Sequence, residues 1–162
     1  MTKINKRLVI HIILASLIVL NLAFIFIQSA IPTETSGEIS DKVGDIVGEV
    51  IPPETKPGEF IQVNIRKIAH FVEFASLGLF TALFVTHLGV SKKRVFFTLA
   101  LSPFIALFDE TIQLFSDRGS SVKDVWIDTA GFVFATVLFY TVWHSAKLIF
   151  KKVNNSRQNI TE

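Results

Sequence analysis

Long apolar stretches alternate with short polar ones and divide the chain into candidate membrane spans. A spanning helix needs about 20 mainly apolar residues in succession. Segments 8–27, 68–88, 95–115 and about 125–150 meet this requirement. The pattern therefore predicts an all-α fold, an integral membrane bundle of four transmembrane helices that forms a single domain over residues 1–162.

The first apolar segment follows the basic residues Lys3, Lys6 and Arg7, as it would in a cleaved signal peptide. Its apolar run is longer than that of an ordinary signal peptide, and no small-residue cleavage motif follows it. We therefore expect a retained span rather than a leader.

The stretch between the first and second spans has a different, amphipathic pattern. Its apolar residues recur at helical spacing while acids occupy the other face, which predicts a short helix lying on the membrane surface in the first external loop. Ser36 is placed to cap this helix, and the prolines that follow are expected to end it before the second span. The apolar face and the prolines comprise Ile39, Val43, Ile46, Val47, Val50, Pro52, Pro53 and Pro57.

Composition agrees with a membrane protein. Half of the 162 residues are hydrophobic and 19% are charged, whereas soluble domains carry about 25% charged residues. The net charge of +2 gives no indication of a nucleic-acid partner, and the absence of cysteine excludes disulfides and thiolate chemistry.

The basic residues outside the spans indicate an orientation. They lie before the first span, between the second and third, and after the fourth, whereas acids fill the long loop after the first span. Because Lys and Arg accumulate in cytoplasmic loops, we expect a multi-pass membrane protein with both termini in the cytoplasm.

Ionisable residues inside spans are energetically costly and are therefore functional candidates. Arg66, His70 and Glu73 share one face of the second span, and the acids of the third and fourth spans lie at a similar depth near the outer surface. The sequence thus predicts an outward-facing polar cluster that forms a binding site. Its candidate residues are Arg66, Lys67, His70, Glu73, Asp109, Glu110, Gln113, Arg118, Asp124 and Asp128.

Two chemistries suit this cluster. Its cations are suited to hold a phosphate while a carboxylate acts as acid or base, and one His with several carboxylates would favour magnesium, manganese or calcium over zinc. The spacing alone assigns no metal ligand and identifies no cofactor. No known catalytic motif occurs, so the residues leave open whether the protein is an enzyme.

Three motifs on separate predicted segments resemble the VanZ-like family. They are K-x-x-H-F-x-E at 67–73, D-E-x-x-Q at 109–113 and R-x-x-S-x-x-D at 118–124, and the likeness extends over about residues 8–143. The chain departs from the family at Asp128, where Asn is frequent, and at Ala135, where a second Gly is common. The resemblance implies a small bacterial multi-helix membrane protein, and the family's namesake is linked to low-level teicoplanin resistance.

Three hypotheses about function remain at this point. The first is a cell-envelope protein that binds or modifies a lipid-linked or cell-wall precursor, with membrane lipids as its surroundings. The second is a non-enzymatic protein whose cluster stabilises the bundle or a partner complex. The third, an ion-coupled transporter, would need polar residues continuing through the inner half of the bundle, where only Ser76, Thr81 and Ser102 are candidates.

Overall fold

The computed structural model describes residues 5–116, 119 and 121–161, with the side chains of 156–161 excepted. This part of the chain is helical and contains no strand. The helices α1, α3, α4 and α5 are long and apolar enough to cross a membrane, which confirms the predicted all-α bundle of four spans. The five helices are α1 (Lys6–Ala30), α2 (Thr33–Val50), α3 (Lys56–Leu88), α4 (Lys92–Phe115) and α5 (Val122–Thr161).

The helices extend beyond the apolar segments that predicted them. Helix α3 begins at Lys56, well before residue 68, because Thr55 caps it: the Thr55 Oγ1 accepts a hydrogen bond from the Gly58 N–H at 3.1 Å. Of the three prolines predicted to end the preceding helix, Pro52 and Pro53 do lie between α2 and α3, but Pro57 does not. Pro57 lies in the first turn of α3, where a missing N–H costs no intrahelical hydrogen bond.

Helix α2 is the amphipathic helix that the sequence predicts between the first two spans, but its start differs from the prediction. Pro32 precedes the helix with a φ of −56° and is its N-cap residue. The Ser36 N–H donates to the Pro32 carbonyl at 3.0 Å and is thus already part of the helical ladder. The predicted cap at Ser36 is therefore wrong, because the fixed φ of a proline starts the helix one turn earlier.

The core of the bundle is small and draws on all four spanning helices. Ile25 of α1, Phe74 and Leu77 of α3, Ala106 of α4 and Phe132 of α5 form one buried cluster. Most other large apolar side chains of the spans point outward, as expected where the surrounding medium is lipid.

Helices α3 and α5 make the most extensive contact in the fold, and two glycines allow it. A Cβ on Gly78 would overlap the Phe132 carbonyl of α5, and a Cβ on Gly131 would overlap the Phe71 carbonyl of α3. The Thr136 hydroxyl adds a buried hydrogen bond of 3.3 Å to the Gly78 carbonyl. Close backbone approach at small residues is a common way of joining helices in lipid, and here it places the N-terminal half of α5 beside α3.

Helix α1 packs against α3 and α4. The Asn21 side-chain amide donates to the Ser76 hydroxyl of α3 at 2.6 Å, and Phe26 makes an edge contact with Phe108 of α4. This packing brings the C-terminal end of α1 to the end of the bundle where α2 lies and α3 begins, which we call the α2 end.

Candidate functional site

Three spanning helices each contribute one ionisable side chain to a common centre. His70 Nδ1 of α3 lies 3.8 Å from Asp109 Oδ2 of α4 and 3.7 Å from Asp128 Oδ1 of α5. Asp109 and Asp128 are fully buried, and the His70 side chain is 12% exposed. One donor atom from each residue lies within 4.8 Å of the others. We call these three residues the His–Asp–Asp centre; their nitrogen and oxygen donors are types that hold divalent metals.

Gln113 fixes the orientation of one carboxylate in this centre. Its amide Nε2 donates to Asp109 Oδ2 at 2.8 Å, and the two side chains lie one turn apart on α4. Gln113 is itself buried, so this bond is made away from solvent. The first and last residues of the D-E-x-x-Q motif are thus a hydrogen-bonded pair in this chain.

Glu110 has a different role from its neighbour. Its Oε2 accepts a hydrogen bond of 3.0 Å from the Ser121 N–H, one residue before α5 begins. Because Glu110 is 2% exposed, the contact is shielded from water and ties α4 to the start of α5. Glu110 therefore holds in place the helix that carries Asp128.

Two small cavities adjoin the centre, and both are lined by Arg66 and His70. The first, about 230 Å³, lies between α1, α2 and α3 and is also lined by Glu73. The second, about 250 Å³, faces α5 and is also lined by Lys67 and by three other residues of the predicted cluster, Gln113, Asp124 and Asp128. The structure thus places the predicted α3 face, Arg66–His70–Glu73, along the walls of these two cavities.

Arg66 and Lys67 of α3 form no salt bridges with described residues. Within residues 5–116, 119 and 121–155, the ion pairs at 4.0 Å or less are those of His70 with its two aspartates, and neither Arg66 nor Lys67 takes part in one. The described contacts thus include no ion pair in which Arg66 or Lys67 neutralises a buried acid. Both side chains line the second cavity and are available to an anion there. Arg118, the remaining predicted cation, lies outside the described residues.

A larger cavity of about 720 Å³ lies at the opposite end of the bundle, between α4 and α5. Its walls are mainly apolar, formed by side chains such as Val95, Phe96 and Leu99. A binding site needs a few polar groups that converge on the ligand. The side chains of the predicted polar cluster line the two smaller cavities, so these two are the candidate site.

The sequence interpretation missed part of the cavity wall. Gln28 at the end of α1 and Ser36 and Ser40 of α2 line the first cavity. Gln28 and Ser29 are adjacent polar residues at the end of a strongly apolar segment, and this could have pointed to them. The position of α2 over α3 could not be derived, because it depends on a contact between the Gln62 amide and the Gly44 carbonyl, 2.7 Å apart.

Comparison with known proteins identifies the family. A family model described as VanZ/LLP1 matches residues 9–144, and because the match covers most of the 162 residues the chain belongs to this family. No curated protein and no solved structure matches the chain.

Proposed function

We propose that this VanZ-family membrane protein binds the phosphate-bearing headgroup of a lipid-linked or cell-wall precursor in the two cavities beside the His–Asp–Asp centre. The observation that carries the proposal is the position of Arg66. This guanidinium group lines both cavities and forms no salt bridge with a described residue. A planar guanidinium is well suited to bind phosphate through two hydrogen bonds, and the Lys67 ammonium lies one residue away.

The size of the cavities sets the part of the ligand that they admit. Pockets for whole drug-sized molecules measure about 300–1,000 Å³, and each cavity here is smaller, at about 230 and 250 Å³. A phosphate or diphosphate group fits such a space, whereas a complete lipid does not. The acyl or prenyl chain would remain in the surrounding lipid, against the outward-pointing apolar side chains of the spans.

The remaining polar residues supply proton chemistry next to the bound anion. His70 lines both cavities and lies within 4 Å of two carboxylates, so it is placed to exchange a proton with a phosphate oxygen. Glu73 and Asp124 line one cavity each and complete the polar walls. The proposal accordingly includes modification of the precursor as well as its binding.

We further propose that the protein lies in the bacterial cytoplasmic membrane with both termini in the cytoplasm. In this orientation the α2 end faces outward, where the headgroups of exported precursors lie. The support is the distribution of basic residues, which flank the opposite end of the four spans, as the positive-inside rule requires.

Binding can be measured with the purified protein in lipid nanodiscs and a polyprenyl phosphate or diphosphate, using native mass spectrometry. We expect Arg66→Ala and Lys67→Ala to weaken binding about tenfold or more each, since each removes a charge-assisted contact. Lys42→Ala is the matched control, because Lys42 is an exposed cation on α2 at the same end. If all three variants lost the same amount of affinity, the binding would come from general electrostatic attraction, and this would contradict the proposed site.

The alternative function, a cluster that only stabilises the bundle or a partner complex, predicts a different outcome. Under the precursor proposal, Asp109→Asn and His70→Ala abolish the modification of the precursor while yield and melting temperature in detergent stay near those of the wild type. Under the alternative, loss of activity follows loss of expression.

A link to teicoplanin susceptibility, expected from the family resemblance, is tested by comparing host strains that express the wild type and Asp109→Asn.

A further inference from the structure

The Asp128 carboxylate lies in an unusual environment. It is completely buried on a spanning helix, and neither of its oxygens accepts a hydrogen bond from any residue in the described part of the chain. Its Oδ1 lies 3.7 Å from His70 Nδ1, beyond the range of a hydrogen bond. Because a buried carboxylate stays charged only when it is paired or coordinates a metal, its two oxygens without a described hydrogen-bond partner are available to a cation.

The three side chains of the His–Asp–Asp centre are spaced to share one ion. A metal with bonds of about 2.1 Å holds neighbouring donors roughly 3.0–3.4 Å apart and cannot hold two donors farther apart than about 4.2 Å. His70 Nδ1 lies 3.8 Å from Asp109 and 3.7 Å from Asp128, inside that limit. The donor atoms of Asp109 and Asp128 lie within 4.8 Å of each other, so binding one ion would draw the two carboxylates closer together.

We propose that His70, Asp109 and Asp128 bind one divalent transition-metal cation of the manganese-to-zinc series. Two carboxylates with a neutral imidazole carry two negative charges, which a divalent cation balances within the bundle. The sequence pattern favoured magnesium, manganese or calcium because it counted several carboxylates, but only two of them join His70 in the centre. With one imidazole nitrogen among three donors, transition metals fit better than calcium and magnesium, whose preferred ligands are all oxygens. The Gln113 amide, which donates to Asp109 Oδ2, is the kind of outer contact that orients a metal ligand.

The proposed cation adds a metal to the proposed phosphate site, but binding of the metal does not require the lipid precursor. It would lie beside the cavities lined by Arg66, where a bound metal can neutralise phosphate oxygens. The test below uses the metal alone, so failure to bind a precursor and failure to bind a metal are separate results.

The full-length protein, purified in detergent and freed of metal with a chelator, is titrated with Mn²⁺ while free Mn²⁺ is followed by electron paramagnetic resonance. We expect saturation at one Mn²⁺ per chain, with Zn²⁺ displacing it. Asp109→Asn, Asp128→Asn and His70→Ala should each weaken the affinity by about tenfold or more, since even outer contacts of a metal ligand contribute 10–100-fold. Mn²⁺ should also raise the melting temperature of the wild type but not that of Asp128→Asn.

Matched controls exclude general charge effects. Asp45→Asn removes an exposed acid of α2, and His144→Ala removes an exposed histidine near the opposite end. Both should bind Mn²⁺ as the wild type does. The proposal is wrong if the wild type binds neither Mn²⁺ nor Zn²⁺ saturably, or if the control variants lose as much affinity as the variants of the centre.

Discussion

At the scale of single residues, the central feature is a pair of acidic side chains buried next to each other inside the bundle. Asp109 and Asp128 are both fully buried, and their donor atoms lie within 4.8 Å of each other. Side chains chosen only to stabilise helix contacts in lipid would be small or neutral, because those associate without the cost of burying charge. A centre that retains two acids is therefore typical of a site whose function opposes stability.

The cost of the second buried acid to the stability of the protein can be measured with Asp128→Asn. In the presence of chelator, we expect the variant to be more stable than the wild type by about 1 kcal/mol, because an amide of the same size avoids the cost of burying a second acid beside Asp109. The free energy of unfolding is obtained from denaturation in mixed micelles.

Asp45→Asn serves as the control, since a substitution at an exposed position should change stability by less than about 0.5 kcal/mol. A destabilised Asp128→Asn variant would instead show that the carboxylate holds the bundle together, as the alternative function requires.

The sequence could predict which residues belong to the polar region but not which of them touch. Helical spacing places His70, Asp109 and Asp128 at a similar depth, because depth follows from the rise per residue. How each helix is rotated about its axis is set by packing against the other helices, and this rotation cannot be predicted from the periodicity of the sequence. Hence Glu110, adjacent to Asp109 in sequence, bonds to Ser121 instead, and this could not be foreseen.

At the scale of helices, the site depends on how closely α3 and α5 approach. Gly131 sits against the Phe71 carbonyl, one residue after His70, and lies one turn beyond Asp128. The close contact at this glycine therefore fixes the distance between two residues of the His–Asp–Asp centre. The structure shows that the partner of Gly131 is backbone, which cannot move aside as a side chain would.

Gly131→Ala tests this contact. The new Cβ would overlap a carbonyl of α3, so we expect a loss of about 1–3 kcal/mol in unfolding free energy, the usual range for overpacking. Gly37→Ala is the same substitution in α2, where a Cβ meets nothing within 4 Å. It should be neutral or stabilising by up to about 1 kcal/mol, since Ala is the better helix former. Similar effects at both positions would mean that α3 and α5 are not held by this contact.

The ends of the helices were the least predictable elements. Hydropathy locates the part of a helix that lies in hydrocarbon, and it identified all four spans. Helix α3 continues past its apolar segment to Lys56, where Thr55 and Pro57 provide a start that depends on local hydrogen bonding. Arg66 is accordingly part of a continuous helix, which explains why it shares a cavity wall with His70 and Glu73.

At the scale of the whole molecule, charge is distributed unequally between the two ends of the bundle. The described acids of the polar region lie toward the α2 end, together with the acidic residues of α2. The opposite end carries the basic turn between α3 and α4, where Arg94 donates to the Leu88 carbonyl at 3.2 Å. This asymmetry carries the proposed orientation, because the polar site can meet an exported precursor only if the α2 end faces outward.

The orientation can be tested with single cysteines, because the chain contains none of its own. Glu54→Cys lies between α2 and α3, and Lys93→Cys lies at the start of α4; both positions are exposed. We expect a membrane-impermeant maleimide to label Glu54→Cys in intact cells and Lys93→Cys only after the membrane is permeabilised. Labelling after permeabilisation controls for reactivity at both sites. The reverse pattern would turn the cavities toward the cytoplasm, so that the ligand of Arg66 would have to be a cytoplasmic phosphate rather than an exported precursor.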